Sequence, residues 1–147
     1  MSTAEPTTTT AAVTPPQNEW ALSYPMLSAT VRLARLHTRR RLTLWDWEGD
    51  TEDAALITSE LVANAVRHAR HPGHELWLRL THFTDGSLLI EVSDPVPQFP
   101  NFTEAVPQKV AEEQGRGLTI VRALTTELTW SPRRHIGKTV HARVGAG

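Results

Sequence analysis

The sequence contains no cysteine, which removes disulfides, thiolate catalysis, iron–sulfur clusters and cysteine-based zinc sites from consideration. It also lacks charge of one sign: 15 Lys and Arg stand against 16 Asp and Glu, a formal net charge of −1. A general nucleic-acid binder carries a basic excess, so no direct nucleic-acid partner is expected. No apolar run approaches the length needed to span a bilayer, and no membrane partner is expected. The leading MSTAEPTTTTAAVTPPQ has neither the positive start nor the apolar centre of a secretory signal, which makes the cytoplasm the expected location. There is no internal repeat. What is present is 147 residues with 39% hydrophobic and 21% charged content, enough for one domain with a proper core.

The chain divides into a tail and a domain. Residues 1–18 are rich in Thr, Ala and Pro, have almost nothing to bury, and are expected to be disordered. The domain is expected over residues 19–145. Trp20, Leu22 and Tyr24 alternate, which reads as a short strand stopped at Pro25. Val31, Leu33, Ala34, Leu36 and Leu42 sit among arginines and predict a helix from Ser28, its cap, to about Leu44. Its arginines read as a solvated face. Trp45 and Trp47, in the break that follows, are expected to cover the core edge. A second apolar stripe, Ala55, Leu56, Leu61, Val62, Ala65 and Val66, predicts a helix from Thr51 to about Ala69. Strands are expected over Glu75–His82 and Ser87–Ser93, joined by the turn residues Thr84-Asp85-Gly86. Residues 95–116 hold Pro95, Pro97, Pro100 and Pro107 and are too long for an ordinary connection, which suggests a lid. A third helix through about Thr125 and a hairpin, Glu127–Ser131 with Lys138–Arg143, complete the chain. This order implies an α+β fold: a two-layer sandwich, with helices on one face of a mixed, mostly antiparallel sheet.

Three separated motifs carry chemistry. In Glu60-Leu61-Val62-Ala63-Asn64-Ala65-Val66-Arg67-His68, helical spacing puts Glu60, Asn64, Arg67 and His68 on one face. An amide oxygen can serve Mg²⁺, which takes one or two protein oxygens and fills its shell with phosphate and water. A carboxylate one turn away can orient or deprotonate a hydroxyl. Alone, the pair is equally an ordinary polar helix face. Next, Glu91-Val92-Ser93-Asp94-Pro95 ends an apolar strand on a carboxylate that can accept from an exocyclic amine, or simply form a turn before proline. Third, Gly115-Arg116-Gly117-Leu118 opens a helix, where glycines let the backbone approach a phosphate. A loop hinge is the plainer account of it.

The three motifs in this order, with Gly137-Lys138-Thr139-Val140 entering the last strand, resemble the GHKL superfamily of ATP-binding domains and its Bergerat fold. The likeness is nearest to the anti-sigma regulatory factor serine/threonine-protein kinases, the RsbW/SpoIIAB-like group. SELVANAVRHA (residues 59–69) is similar to that group's N-box, VSDP (92–95) to its G1 region and GRGLTIVRAL (115–124) to its G2 region. The likeness covers about Trp20 to Val144. It implies that ATP and Mg²⁺ are cofactors, that Asn64 holds the metal and that Glu60 is the catalytic base. It further implies Arg67 and His68 near the phosphates, Asp94 on the adenine amine, and Gly115, Gly117 and Leu118 closing over the phosphates. Thr139 would support the Asp94 contact through a water. The implied partners are a sigma factor and a small STAS-type antagonist that is phosphorylated, with a homodimer also in view.

One departure matters. The G1 region of that superfamily usually reads D-x-G-x-G, whereas this chain has Asp94-Pro95-Val96-Pro97-Gln98, with no glycine and a stiffened loop. A nucleotide-binding interaction module without phosphotransfer is therefore the rival expectation. The catalytic domain of a two-component histidine kinase is not expected, since residues 1–18 cannot supply a phosphoacceptor helix pair. His68, His71 and His74 read as chance clustering near a turn rather than a metal site, and Arg133-Arg134-His135 as a solvated hairpin tip.

Overall fold

A computed structural model describes residues 14–71, 73–97 and 116–145. The order is β1 (Pro16–Pro25), α1 (Ser28–Leu44), α2 (Thr51–His68), β2 (Glu75–Phe83), β3 (Leu88–Asp94), α3 (Arg116–Leu124), β4 (Glu127–Pro132) and β5 (Lys138–Val144). The strands form one sheet in the order β1-β2-β3-β5-β4, and all four neighbouring pairs run antiparallel. The α+β two-layer expectation holds, with an antiparallel rather than mixed sheet. Residues 1–13 of the expected tail and 98–115 of the expected lid lie outside the described residues.

The period of two along the strands decides which side is core. Leu76, Leu78 and Leu80, then Leu88, Ile90 and Val92, then Val140, Ala142 and Val144 all turn inward and are buried. They share one apolar cluster with Ile57, Leu61, Val62, Ala65 and Val66 of α2. The alternate residues line an outer face crossed by polar ladders: Glu91 to His141 at 2.8 Å, His141 to Ser131 at 3.0 Å, and Ser93 to Thr139 at 2.8 Å.

α1 lies on α2 through the buried, four-residue-spaced series Thr30, Ala34, Thr38 and Leu42. Small side chains let the helices come close, and the Thr38 hydroxyl donates to that of Thr58 at 3.1 Å. The arginine face of α1 is largely outward: Arg39 pairs with Glu52 at 2.9 Å and Arg41 stacks over Trp20 at 5.4 Å. Asp50 caps α2 by accepting from the Asp53 amide at 3.0 Å.

Two boundaries differ from expectation. β1 begins at Pro16, so residues 16–18 are strand rather than tail. The reason is non-local: Pro16 pairs with Phe83, and the Thr84 amide donates to the Pro15 carbonyl at 3.1 Å. Ser28 does not cap α1. Leu27 holds that position with no side-chain cap, and the first turn is tied instead by the Thr30 hydroxyl, which donates to the Pro25 carbonyl at 2.6 Å.

The α1–α2 connection turns at Asp46, whose φ is +56°, and then buries Trp47. The Trp47 indole N–H donates to the Gly86 carbonyl at 2.8 Å, pinning this connection to the β2–β3 hairpin. Trp47→Phe loses that bond and part of the buried ring, and is expected to destabilise the fold by about 1–3 kcal/mol in urea unfolding. A change within experimental error would show that the anchor contributes nothing.

Candidate functional site

The apolar side of α2 is spent on the sheet, which leaves a second side free for chemistry. Glu60 and Asn64 are half-buried there, and Arg67 and His68 follow on the exposed last turn. Among the described residues, neither the Glu60 carboxylate nor the Asn64 amide has a hydrogen-bond partner. Two oxygen-bearing groups one turn apart, partly desolvated and not consumed internally, are suited to a hard cation and to a hydroxyl.

α3 crosses α2 at this point. A Cβ on Gly117 would meet Glu60 Oε1, the movable end of that side chain, so the glycine leaves the carboxylate its present place beside the first turn of α3. Leu118 and Val121 bury the other side of α3. Glu60, Gly117 and the start of α3 therefore form one locus, next to Asn64 on the same helix. Gly115 lies outside the described residues.

Asp94 forms a second locus at the inward end of β3. It is 2% exposed, and opposite it on β5 stands Lys138, 5% exposed. Lys138 Nζ lies 3.0 Å from Oδ2 and 3.1 Å from Oδ1, and donates to the Val96 carbonyl at 3.1 Å. The Val96 amide donates to Oδ1 at 2.8 Å. Burial pushes the Asp94 carboxyl above its usual range, although Lys138, the Val96 amide and Arg133 pull the other way. Folding thus favours the protonated acid: the stabilisation from this group is present below its unfolded pKa and is lost as pH rises through the folded one. His68 is held below its ordinary value by partial burial, then by Arg67 and by Lys138, which places the end of α2 within the field of the same ammonium.

Thr139 is a correction. The strand alternation turns it to the outer face, where its hydroxyl meets that of Ser93, away from the Asp94 carboxylate. The residue that does reach Asp94 is Lys138, which sequence reasoning missed. The signal was available: Val140 faces inward, so two residues earlier Lys138 must as well. His71 and His74 stack at 4.7 Å, and among the described residues no group of three or more His, Asp or Glu is arranged to hold a metal.

Residues 25–144 match the family described as Histidine kinase-like ATPase domain. Among solved structures, the histidine kinase domain from Erythrobacter litoralis EL346 blue-light activated histidine kinase is 22% identical, with a TM-score of 0.46, over 65% of this chain. The chain covers 44% of that structure, less than half its length. No curated protein matches the chain.

Gly137 seats the second locus. Its φ is +89°, and a Cβ there would run into the Asp94 carbonyl, an immovable backbone atom. Gly73 has a similar φ of +79° with nothing within 4 Å. Gly73→Ala is expected to destabilise by about 1 kcal/mol through conformation alone. Gly137→Ala adds the collision and should exceed it by at least about 1 kcal/mol in paired denaturant melts. Equal losses would mean that the contact with Asp94 is soft.

Proposed function

The chain belongs to the histidine kinase-like ATPase domain family, and from that premise we propose that it binds ATP with Mg²⁺ and acts as an anti-sigma-type protein serine/threonine kinase. The supporting observation is the Glu60–Asn64 pair, without a hydrogen-bond partner among the described residues, with Gly117 packed against the carboxylate. In this reading residues 19–145 are one nucleotide-binding unit with a lid over about 95–116, in a cytoplasmic protein. Its partners are a sigma factor and a small STAS-type antagonist, and two copies pair.

The donor set fits magnesium and phosphate at one end. The Asn64 side-chain oxygen would hold Mg²⁺, and the amides opening α3 at Gly117 and Leu118 would face the phosphates. Arg67 and His68 stand at the end of α2 as further donors. Asp94 would accept from the adenine amine. When bound, Mg²⁺–ATP supplies the phosphoryl group and neutralises its charge. The protein's own part is positioning: Glu60 accepts the proton of the partner's serine or threonine hydroxyl, and the packed start of α3 keeps water from the carboxylate.

A second reading has an observation of its own. Val96 and Gln98 stand where glycines are usual, with Pro95 and Pro97 stiffening the same run, and Lys138 already occupies the carboxylate meant for the nucleobase. This favours a nucleotide-responsive interaction module without phosphotransfer, for which partner affinity changes with ATP and no phosphoprotein forms.

Three variants separate these readings. Asn64→Ala is expected to lose Mg²⁺–ATP binding in calorimetric titration. Glu60→Gln should keep that binding while phosphorylation of a STAS-type partner falls by about 10²-fold or more. Unchanged turnover removes Glu60 from the chemistry. Binding by the wild type without any phosphoprotein selects the interaction module.

A further inference from the structure

We infer that Lys138 is a built-in competitor for the nucleobase at Asp94 and thereby sets the nucleotide affinity of this site. The inference rests on the reading of Asp94 as the base-recognition carboxylate and deepens it. Oδ1 already accepts from the Val96 amide and from Nζ, and Oδ2 lies 3.0 Å from Nζ in the same ion pair. The ammonium donates to Oδ1 and to the Val96 carbonyl. Both side chains are almost wholly enclosed. A purine amine donating to Asp94 must take the place that Nζ holds.

That exchange is unequal. Either donor meets a charged acceptor, but the ammonium adds a full opposite charge that a neutral amine lacks. Displacing Lys138 also releases the Val96 carbonyl, so the chain leaving β3 is untied from β5 in the same step. The lysine stem is flexible enough to swing away, but the ligand-free protein keeps only a fraction of its molecules open, and the apparent affinity falls by that fraction. The effect is confined to the base end. Asn64, Glu60 and the start of α3 make up the other locus.

The test uses the full chain as wild type, Lys138→Thr, Lys138→Arg and Asn64→Ala. Threonine suits a strand and retains one hydroxyl, but it cannot span Asp94 and Val96 together. Titration with Mg²⁺–ATP, Mg²⁺–ADP, adenosine and Mg²⁺–pyrophosphate is read beside the melting temperature with and without ligand. Lys138→Thr is expected to bind the three adenine ligands at least tenfold more tightly and pyrophosphate as the wild type does. It should melt lower when free and show a larger shift with ATP. Lys138→Arg should stay near the wild type.

In wild-type protein labelled with ¹⁵N at lysine Nζ, the buried ammonium signal should be present without ligand and move or vanish on saturation with ATP. That readout holds even if Lys138→Thr does not fold. A folded Lys138→Thr that binds adenosine no more tightly than a wild type that does bind it overturns the inference alone. So does a Lys138 ammonium signal unmoved by saturating ATP. Failure of both wild type and Lys138→Thr to bind any adenine ligand overturns the base-recognition reading, and the inference with it.

Discussion

The packing of α2 against the inner face of the sheet is the constraint on which the other elements depend. Its apolar side, Ile57, Leu61, Val62, Ala65 and Val66, is buried in the same cluster as the inward residues of β2, β3 and β5. α1 and α3 each lie on α2 more extensively than on any strand. A helix committed in this way on three sides has little freedom to rotate. A rotation of one residue, about 100°, would bring Glu60 into the apolar cluster, where a carboxylate without a partner is strongly disfavoured. The core therefore fixes the direction in which Glu60 and Asn64 face, and site geometry and core packing are one arrangement.

Period and burial explain how much of this could be read from the sequence. α1 and α2 carry long 3.6-residue patterns, and their extents emerge within a residue or so of the structure. The inward strands are continuous enough in Leu, Ile and Val to be found by composition. The start of β1 was not legible, because Pro16, Gln17 and Asn18 have no apolar pattern and become strand only through pairing with β2. The cap of α1 failed for a related reason. Ser28 has the right chemistry for a cap, but the hydroxyl of Thr30 secures the turn through Pro25, a contact that depends on where β1 ends.

The site divides in the same way. The α2 face was legible because helical spacing alone brings Glu60 and Asn64 together. Asp94 was legible as a strand-end carboxylate, but its environment was not, because that depends on the register between β3 and β5. The register places Lys138 across from Asp94 and turns Thr139 outward, so one residue's displacement along the strand exchanges a hydroxyl for an ammonium at the carboxylate. Gly137 makes the register possible, since any side chain there would push Asp94 and Pro95 away. The two loci are thus held by different means, one by helix periodicity and the other by a strand register that a glycine permits.

The buried pair at the second locus has no good account in stability alone. Two ions taken from water recover their desolvation only with excellent geometry, and apolar replacements of similar volume are often neutral or better. Here the geometry is good, with both carboxylate oxygens and a carbonyl engaged, yet burial still leaves Asp94 harder to ionise than in water. The inward faces of β3 and β5 are otherwise apolar, from Val92 back to Leu88 and from Val140 on to Val144. Asp94 and Lys138 stand only at the end of that face, where the strand leaves the sheet and α2 presents its last turn. A pair serving the core would gain nothing from that position. That position fits the proposed role, in which the carboxylate is reached from the α2 side and the ammonium holds it until then.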